Sequence, residues 1–382
     1  MTPFLSWWIL SLLRRLALLG ALLFAVGVAD STARGSFPGS NGAIAFVRGS
    51  QFRNQIWVVL PDGTGTRPLT RSVPYIWVDG IAWSPGGSRL LFVHADGRNC
   101  GIPCFDTYVV RPDGTGLARA NLGIGGTGTI SGDPAWSPGG IQVAASTYRG
   151  DNLRYATYAL DVSDINTGKT RTLAPAALRG GRDVVLAYGY DIGDYAWSPN
   201  GEAICFSRAV GKSRSRLALV RADGSQLRLI PRADGFDCSW SPDSKRIAYT
   251  DGRNLWSMSP DGSGRQALTS QTAREVAPVW SPDGSTIAFL RQESGANHPA
   301  YDLWTMKADG SAETMIAANV SRASWSPDGT MVALIKGGRP PEDPTYKNEP
   351  KPEGLWVAHS DGSGQLEIAK GATEFDWQAL HS

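Results

Sequence analysis

The chain has 382 residues, 42% hydrophobic and 19% charged, a balance that suits a packed domain and excludes a disordered one. Its formal net charge of +2, with no basic run beyond Arg14-Arg15, excludes nucleic acid as a partner and gives no charge-driven hold on a membrane surface. Gly at 45 and Pro at 24 imply many tight turns and so many short strands, and the 14 Trp are the raw material of a repeat.

The first element is a targeting segment. Met1 to Val28 is mostly apolar, and Leu16 to Val28 carries no charge. That run fits the apolar region of a secretory signal and is short for a membrane span. Residues 1–33 therefore read as a signal peptide, with cleavage after Gly27-Val28-Ala29 or Ser31-Thr32-Ala33. If retained, the same stretch is an anchor and the one route to membrane contact. Residues 34–382 read as a single repeat-built domain, in a secreted, periplasmic or cell-envelope location.

The repeat follows at once. Asn41 to Phe46 is an apolar strand, and Ile56-Trp57-Val58 runs into the turn Asp62-Gly63. Trp-Ser-Pro then occurs at Trp83, Trp136, Trp197, Trp240, Trp280 and Trp325, each followed by an apolar triplet such as Ile287-Ala288-Phe289. A second turn recurs at Asp113-Gly114, Asp223-Gly224, Asp261-Gly262, Asp309-Gly310 and Asp361-Gly362, with Asp164 to Gly168 as the divergent copy. Pro presets φ for a turn, Asp or Asn takes backbone N–H groups, and Gly supplies the positive φ. Each unit is thus four strands, A to D. Strands B, C and D occur seven times, and strand A with Ser-Pro only six times. The missing strand A is supplied by Glu374-Phe375-Asp376-Trp377 at the end of the chain. The expected fold is all-β: a seven-bladed propeller of four-stranded antiparallel blades, its C-terminal strand completing the first blade.

Six Trp-Ser-Pro turns paired with Asp-Gly turns resemble the TolB-like, WD40-like (PD40) propeller repeat family over about residues 41 to 378. TolB itself resembles a six-bladed propeller behind an α/β domain, whereas the count here is seven. The resemblance implies a protein or peptide partner and a monomer. The repeat also resembles that of oligogalacturonate lyase-like propellers, which use a metal with several His ligands.

Strand alternation gives the ring two unlike faces. The Ser-Pro and Asp-Gly turns share one face. The long connections 93–106, 146–156, 174–194, 290–301 and 335–353 share the other, and function usually resides on such loops. Three residues before the strand-A Trp stand Asp133, Asp194, Asp237 and Glu374, with Asp79 one place further back and Arg322 as the exception. They form either an acidic ring for a basic peptide end or turn-capping residues at strand starts. No cofactor is expected, although such a ring would accept a channel cation such as calcium. Tyr75 and Trp77 add aromatic surface for a partner.

Cys100 and Cys104 sit in one loop-like segment and read as a local disulfide. Cys205 and Cys238 lie in strand-like text, as buried thiols or a second bridge. The His residues are His94, His298, His359 and His381 alone, and neither a His-Glu-x-x-His nor a Gly-x-Ser-x-Gly motif occurs. The expectation is a partner-binding propeller and not an enzyme. The alternative is a lyase- or lactonase-like propeller with a carboxylate or metal site at the channel mouth.

Overall fold

A computed structural model describes residues 37–50, 53–71, 76–96, 104–122, 129–130, 133–149, 157–175, 192–210, 214–270, 273–292, 300–337 and 352–380. Every regular element among them is a β-strand. Blade 1 holds β1 (Ser40–Ser50), β2 (Arg53–Val59) and β3 (Arg67–Pro68). Blade 2 holds β4 (Ile76–Trp83), β5 (Leu90–Asp96), β6 (Cys104–Val110) and β7 (Ala118–Arg119). In blade 3 the inner strand is broken into β8 (Thr129–Ile130) and β9 (Ala135–Trp136), followed by β10 (Gln142–Arg149), β11 (Thr157–Asp164) and β12 (Thr170–Ala174). Blade 4 is β13 (Ile192–Trp197), β14 (Ala203–Ala209), β15 (Ser215–Arg221) and β16 (Arg228–Asp234). Blade 5 is β17 (Phe236–Trp240), β18 (Ile247–Thr250), β19 (Leu255–Met258) and β20 (Gln266–Ala267). Blade 6 is β21 (Arg274–Trp280), β22 (Thr286–Gln292), β23 (Asp302–Lys307) and β24 (Thr314–Ala317). Blade 7 is β25 (Val320–Trp325), β26 (Met331–Gly337), β27 (Pro352–His359) and β28 (Leu366–Lys370).

The last strand, β29 (Ala372–Leu380), pairs antiparallel with β1, setting Ile44 against Trp377 and Phe46 against Phe375. The C-terminus thus supplies the inner strand of blade 1, as expected. Blades 1 and 2 are also joined, by a parallel bridge between Arg53 and Ile76. Asn54 secures it: its side-chain amide donates to the Val78 carbonyl at 3.0 Å, and its Oδ1 accepts the Val78 N–H at 2.6 Å.

The core is not central. Seven apolar clusters lie in the seven clefts between adjacent blades, and each contains the inner-strand Trp of one blade: Trp377, Trp83, Trp136, Trp197, Trp240, Trp280 or Trp325. A blade in such a ring is covered on both faces. That is why its second strand reads as an unbroken apolar run, such as Ile287-Ala288-Phe289, and not as an alternation. A Trp buries about 150–250 Å², so each is worth roughly 4–6 kcal/mol as an upper bound. The rings are also aimed. The indole N–H groups of Trp136, Trp197, Trp240 and Trp325 donate to the carbonyls of Ala82, Ala135, Ala196 and Val279. Each acceptor directly precedes the Trp position of the previous blade. Cys205 and Cys238 form a disulfide between blades 4 and 5, which decides between the two readings of that pair.

The tight turns lock the ring along one face. In the Asp-Gly turns, Asp62, Asp113, Asp223, Asp261, Asp309 and Asp361 each accept the N–H two residues on. Gly63, Gly114, Gly224, Gly262, Gly310 and Gly362 follow at φ of +82 to +89°. Each Asp is fully exposed, and its carboxyl is held below the ordinary value of 3.8, first by a side-chain hydrogen bond from the Ser or Thr two residues later. A carboxyl depressed in the folded state adds stability above its unfolded value, and that stability is lost as pH falls through the folded one. The contribution of these turns to thermal stability should therefore decline as pH falls below 3.8. Asn substitutions in these turns should flatten the decline, which differential scanning calorimetry across pH would read.

Candidate functional site

Of the residues three places before the strand-A Trp, Asp133, Asp237, Glu374 and Arg322 are described with their side chains. Several inner strands break register there, between Asp79 and Ala82 in β4 and between Val276 and Val279 in β21. A bulge leaves backbone N–H groups outside the ladder. Carboxylates of the preceding blade take them. Glu374 of blade 1 accepts the Gly80 N–H through Oε2 at 3.1 Å and the Ile81 N–H through Oε1 at 2.9 Å. Asp376 accepts the Trp83 N–H at 2.6 Å. Asp237 of blade 5 accepts the Ala277 N–H of blade 6 at 2.9 Å.

This geometry corrects the acidic ring at two of its members. Asp237 is 1% exposed and Glu374 4%, so neither carboxylate reaches solvent or a docked peptide. They fasten one blade to the next. Ala277 and Asp237 hold the left-handed conformation at φ 54° and 55°, at a cost of order 1–2 kcal/mol each that this bonding helps to offset. In blade 2 the same place is filled by Gly80 at φ +60°, where an added Cβ would stand 2.6 Å from Asp133 Oδ1. Asp133 is half-buried beside it, and the Tyr195 hydroxyl donates to its backbone carbonyl.

Arg322 occupies the position in blade 7, half-buried on β25. Asp79 and Trp77 belong to β4 and Asp194 to β13, but their side chains lie outside the described residues, as does Tyr75 entirely. The same holds for Cys100, for the side chain of Cys104 and for the targeting segment. Most of the long connections fall outside as well. The structure thus brings Glu374, Gly80 and Asp133 together between blades 1, 2 and 3, and places Asp237 separately against blade 6. Among the described residues no group of three or more His, Cys, Asp or Glu is placed to hold a metal, so the cation suggested for the ring finds no such cluster there.

Sequence reasoning missed several devices. Arg67, Arg171 and Arg228 each reach the next blade and donate to the carbonyl before its Asp or Asp-Gly turn, at Pro112, Ala222 and Pro260. The signal was available: Arg67 and Arg228 each stand five residues after the turn Asp. A buried pair in the cleft of blades 5 and 6 was not legible. Arg291, 4% exposed, meets Glu275 Oε1 through Nη2 at 2.6 Å and Glu313 at 2.8 Å, and stacks over Trp304 at 4.5 Å. Burial pushes the Glu275 carboxyl up, opposed by the Thr269 hydroxyl and by Arg291.

Glu374→Ala should expose the cost of the bulge. Two buried N–H groups lose their acceptor, worth about 2–4 kcal/mol together. Urea denaturation should show the lowered midpoint, with Glu374→Gln intermediate because it keeps one acceptor oxygen.

No family model matches the chain. A stretch of 140 residues is 34% identical to the Tol-Pal system protein TolB of Anaeromyxobacter dehalogenans, covering 34% of this chain and 32% of that protein. A stretch of 108 residues is 30% identical to an uncharacterised peptidase of Bacillus subtilis, covering 26% of this chain and 16% of that protein. The chain thus spans about a third or less of either relative's length. Among solved structures, TolB from Acinetobacter baumannii superposes with a TM-score of 0.50 at 16% identity, covering 88% of this chain and 82% of that one. An oligogalacturonate lyase in complex with manganese gives 0.56 at 13% identity, with 87% and 86% covered. A puromycin hydrolase gives 0.61 at 15% identity, with 91% of this chain and 54% of that chain covered.

The chain is a TolB-like propeller in fold. The expectation that it is not an enzyme is corrected by the same comparison, because this architecture is shared with a lyase and a hydrolase. A missing nucleophile motif is no argument against activity on such a scaffold.

Proposed function

We propose that this chain is an interaction propeller of the cell envelope or its exterior, binding a protein or peptide partner on the loop-rich face. The carrying observation is the contrast between the two faces. On the tight-turn side, successive Ser-Pro turns pack in sequence around the ring. A Cβ on Gly140 would meet Pro85 at 3.5 Å, one on Gly284 Pro242 at 3.4 Å, and one on Gly329 Pro282 at 3.4 Å. The Gly39 N–H donates to the Pro327 carbonyl, which closes the series from blade 7 to blade 1. Those turns are spent on one another.

The strand ends leading into the long connections lie on the opposite face, and those connections differ in length from blade to blade. That arrangement suits a recognition surface. The similarity to TolB, a Tol-Pal system protein, is consistent with a protein partner. The apolar N-terminal segment and the disulfide of Cys205 with Cys238 support an oxidising, envelope or extracellular setting. Arg322, half-buried on the inner strand β25, is a candidate contributor to that surface.

The test is affinity capture from envelope extract with two altered proteins beside the wild type. One has the segments 176–190 and 338–351 shortened. The other carries Asp113→Asn and Asp223→Asn on the tight-turn face. The partner should be lost by the first and kept by the second. Equal capture by the shortened protein would overturn the choice of face.

A further inference from the structure

We propose that the loop-side corner of blade 4 is a docking site for an acidic peptide segment. The inference rests on the loop-rich face being the binding side and names the chemistry that face selects. Strand β14 ends there, β15 begins there and β16 returns there. These three ends bring together Arg208, Arg214, Arg216 and Arg232. Four guanidiniums stand against one carboxylate, Asp234, among the described residues of the corner. The whole chain carries only +2, so this is a local concentration and not a general basic character.

The pairing is unfavourable without a partner. Arg208 and Arg216 are directly opposed in the β14–β15 ladder, where like charges destabilise. Asp234 satisfies one of them, accepting Arg216 Nε at 2.6 Å. Arg208 turns instead to a neutral acceptor, the Pro175 carbonyl at 3.2 Å, next to the long connection that follows blade 3. The side chains of Arg214 and Arg232 are exposed, and the hydrogen bond Arg214 makes to Val210 is through its backbone carbonyl.

Arg232 adds an independent sign. It sits at φ 57° in a wide bulge of β16, between Leu229 and Asp234, where Gly would be free of strain. Buried Ile230 and Ala233 hold the bulge down on either side, and Pro231-Arg232 projects. A strained bulge that aims a cation outward is the kind of feature found where a side chain is directed at a ligand. Guanidinium forks match carboxylates two oxygens at a time, which favours side chains of Glu or Asp over a single point charge.

Binding of a fluorescent oligoglutamate peptide to the whole protein tests this, with an oligolysine peptide of equal length beside it. Oligoglutamate should bind and weaken as salt rises, and oligolysine should not bind. The exposed double substitution R214Q/R232Q should weaken binding about tenfold, as two partly exposed ion pairs allow. Circular dichroism of that variant should match the wild type, since neither side chain supports the fold. R221Q, at the tight-turn end of the same blade, should bind as the wild type does. No oligoglutamate binding, or equal binding by R214Q/R232Q, would overturn the acidic-segment proposal and leave the loop-face reading intact. Loss through R221Q instead would overturn both. Equal affinity for single-stranded DNA would also overturn it, by showing an unselective polyanion surface.

Discussion

Each blade of this protein must be covered on both faces, and that requirement organises the rest. A four-stranded sheet with apolar side chains on both sides has no stable end. It needs a neighbour on the left and on the right, so the series has to close. Closure is achieved by the chain's own last strand, β29, which becomes the inner strand of blade 1 beside β1. The seven apolar clefts are then equivalent in kind, and each receives one Trp from the inner strand. The ring is a cooperative object in which the β1–β29 pairing is structural.

Polar bonds between blades refine what the apolar clefts establish. Where an inner strand bulges, a carboxylate from the preceding blade takes the liberated N–H, as Glu374 does for Gly80 and Ile81 and Asp237 does for Ala277. Nearer the rim, arginines from one blade hold the turn of the next. These contacts fall on the inner wall and the tight-turn side. The strand ends that lead into the long connections lie on the opposite side, as does the arginine-bearing corner of blade 4. On the proposed reading of the loop-rich face, structure and function separate along the propeller axis.

The architecture was legible because it is written in turns. Trp-Ser-Pro and Asp-Gly have local causes, and counting them gave the blades, the strand order and the closing role of Trp377. The site was less legible because a carboxylate's role depends on what faces it. Asp237 and Glu374 share a sequence position that suggests a ring of charge, yet the bulge of the next blade takes them up, and no single repeat reveals that bulge. Arg291 with Glu275 and Arg208 with Arg216 are cross-strand relations, one favourable and one not, which appear only when the register is known. The linkage of blades 4 and 5 by Cys205 and Cys238 likewise depends on two strands being brought side by side.

Backbone hydrogen exchange over residues 372–380, followed by mass spectrometry on the intact protein, examines the closed ring most directly. Amides of β29 bonded into the sheet should exchange as slowly as those of the central strands of blades 4 and 5, and all should be released together as denaturant is added. Rapid exchange there, in the manner of a frayed terminus while the other blades stay protected, would contradict closure by the terminal strand.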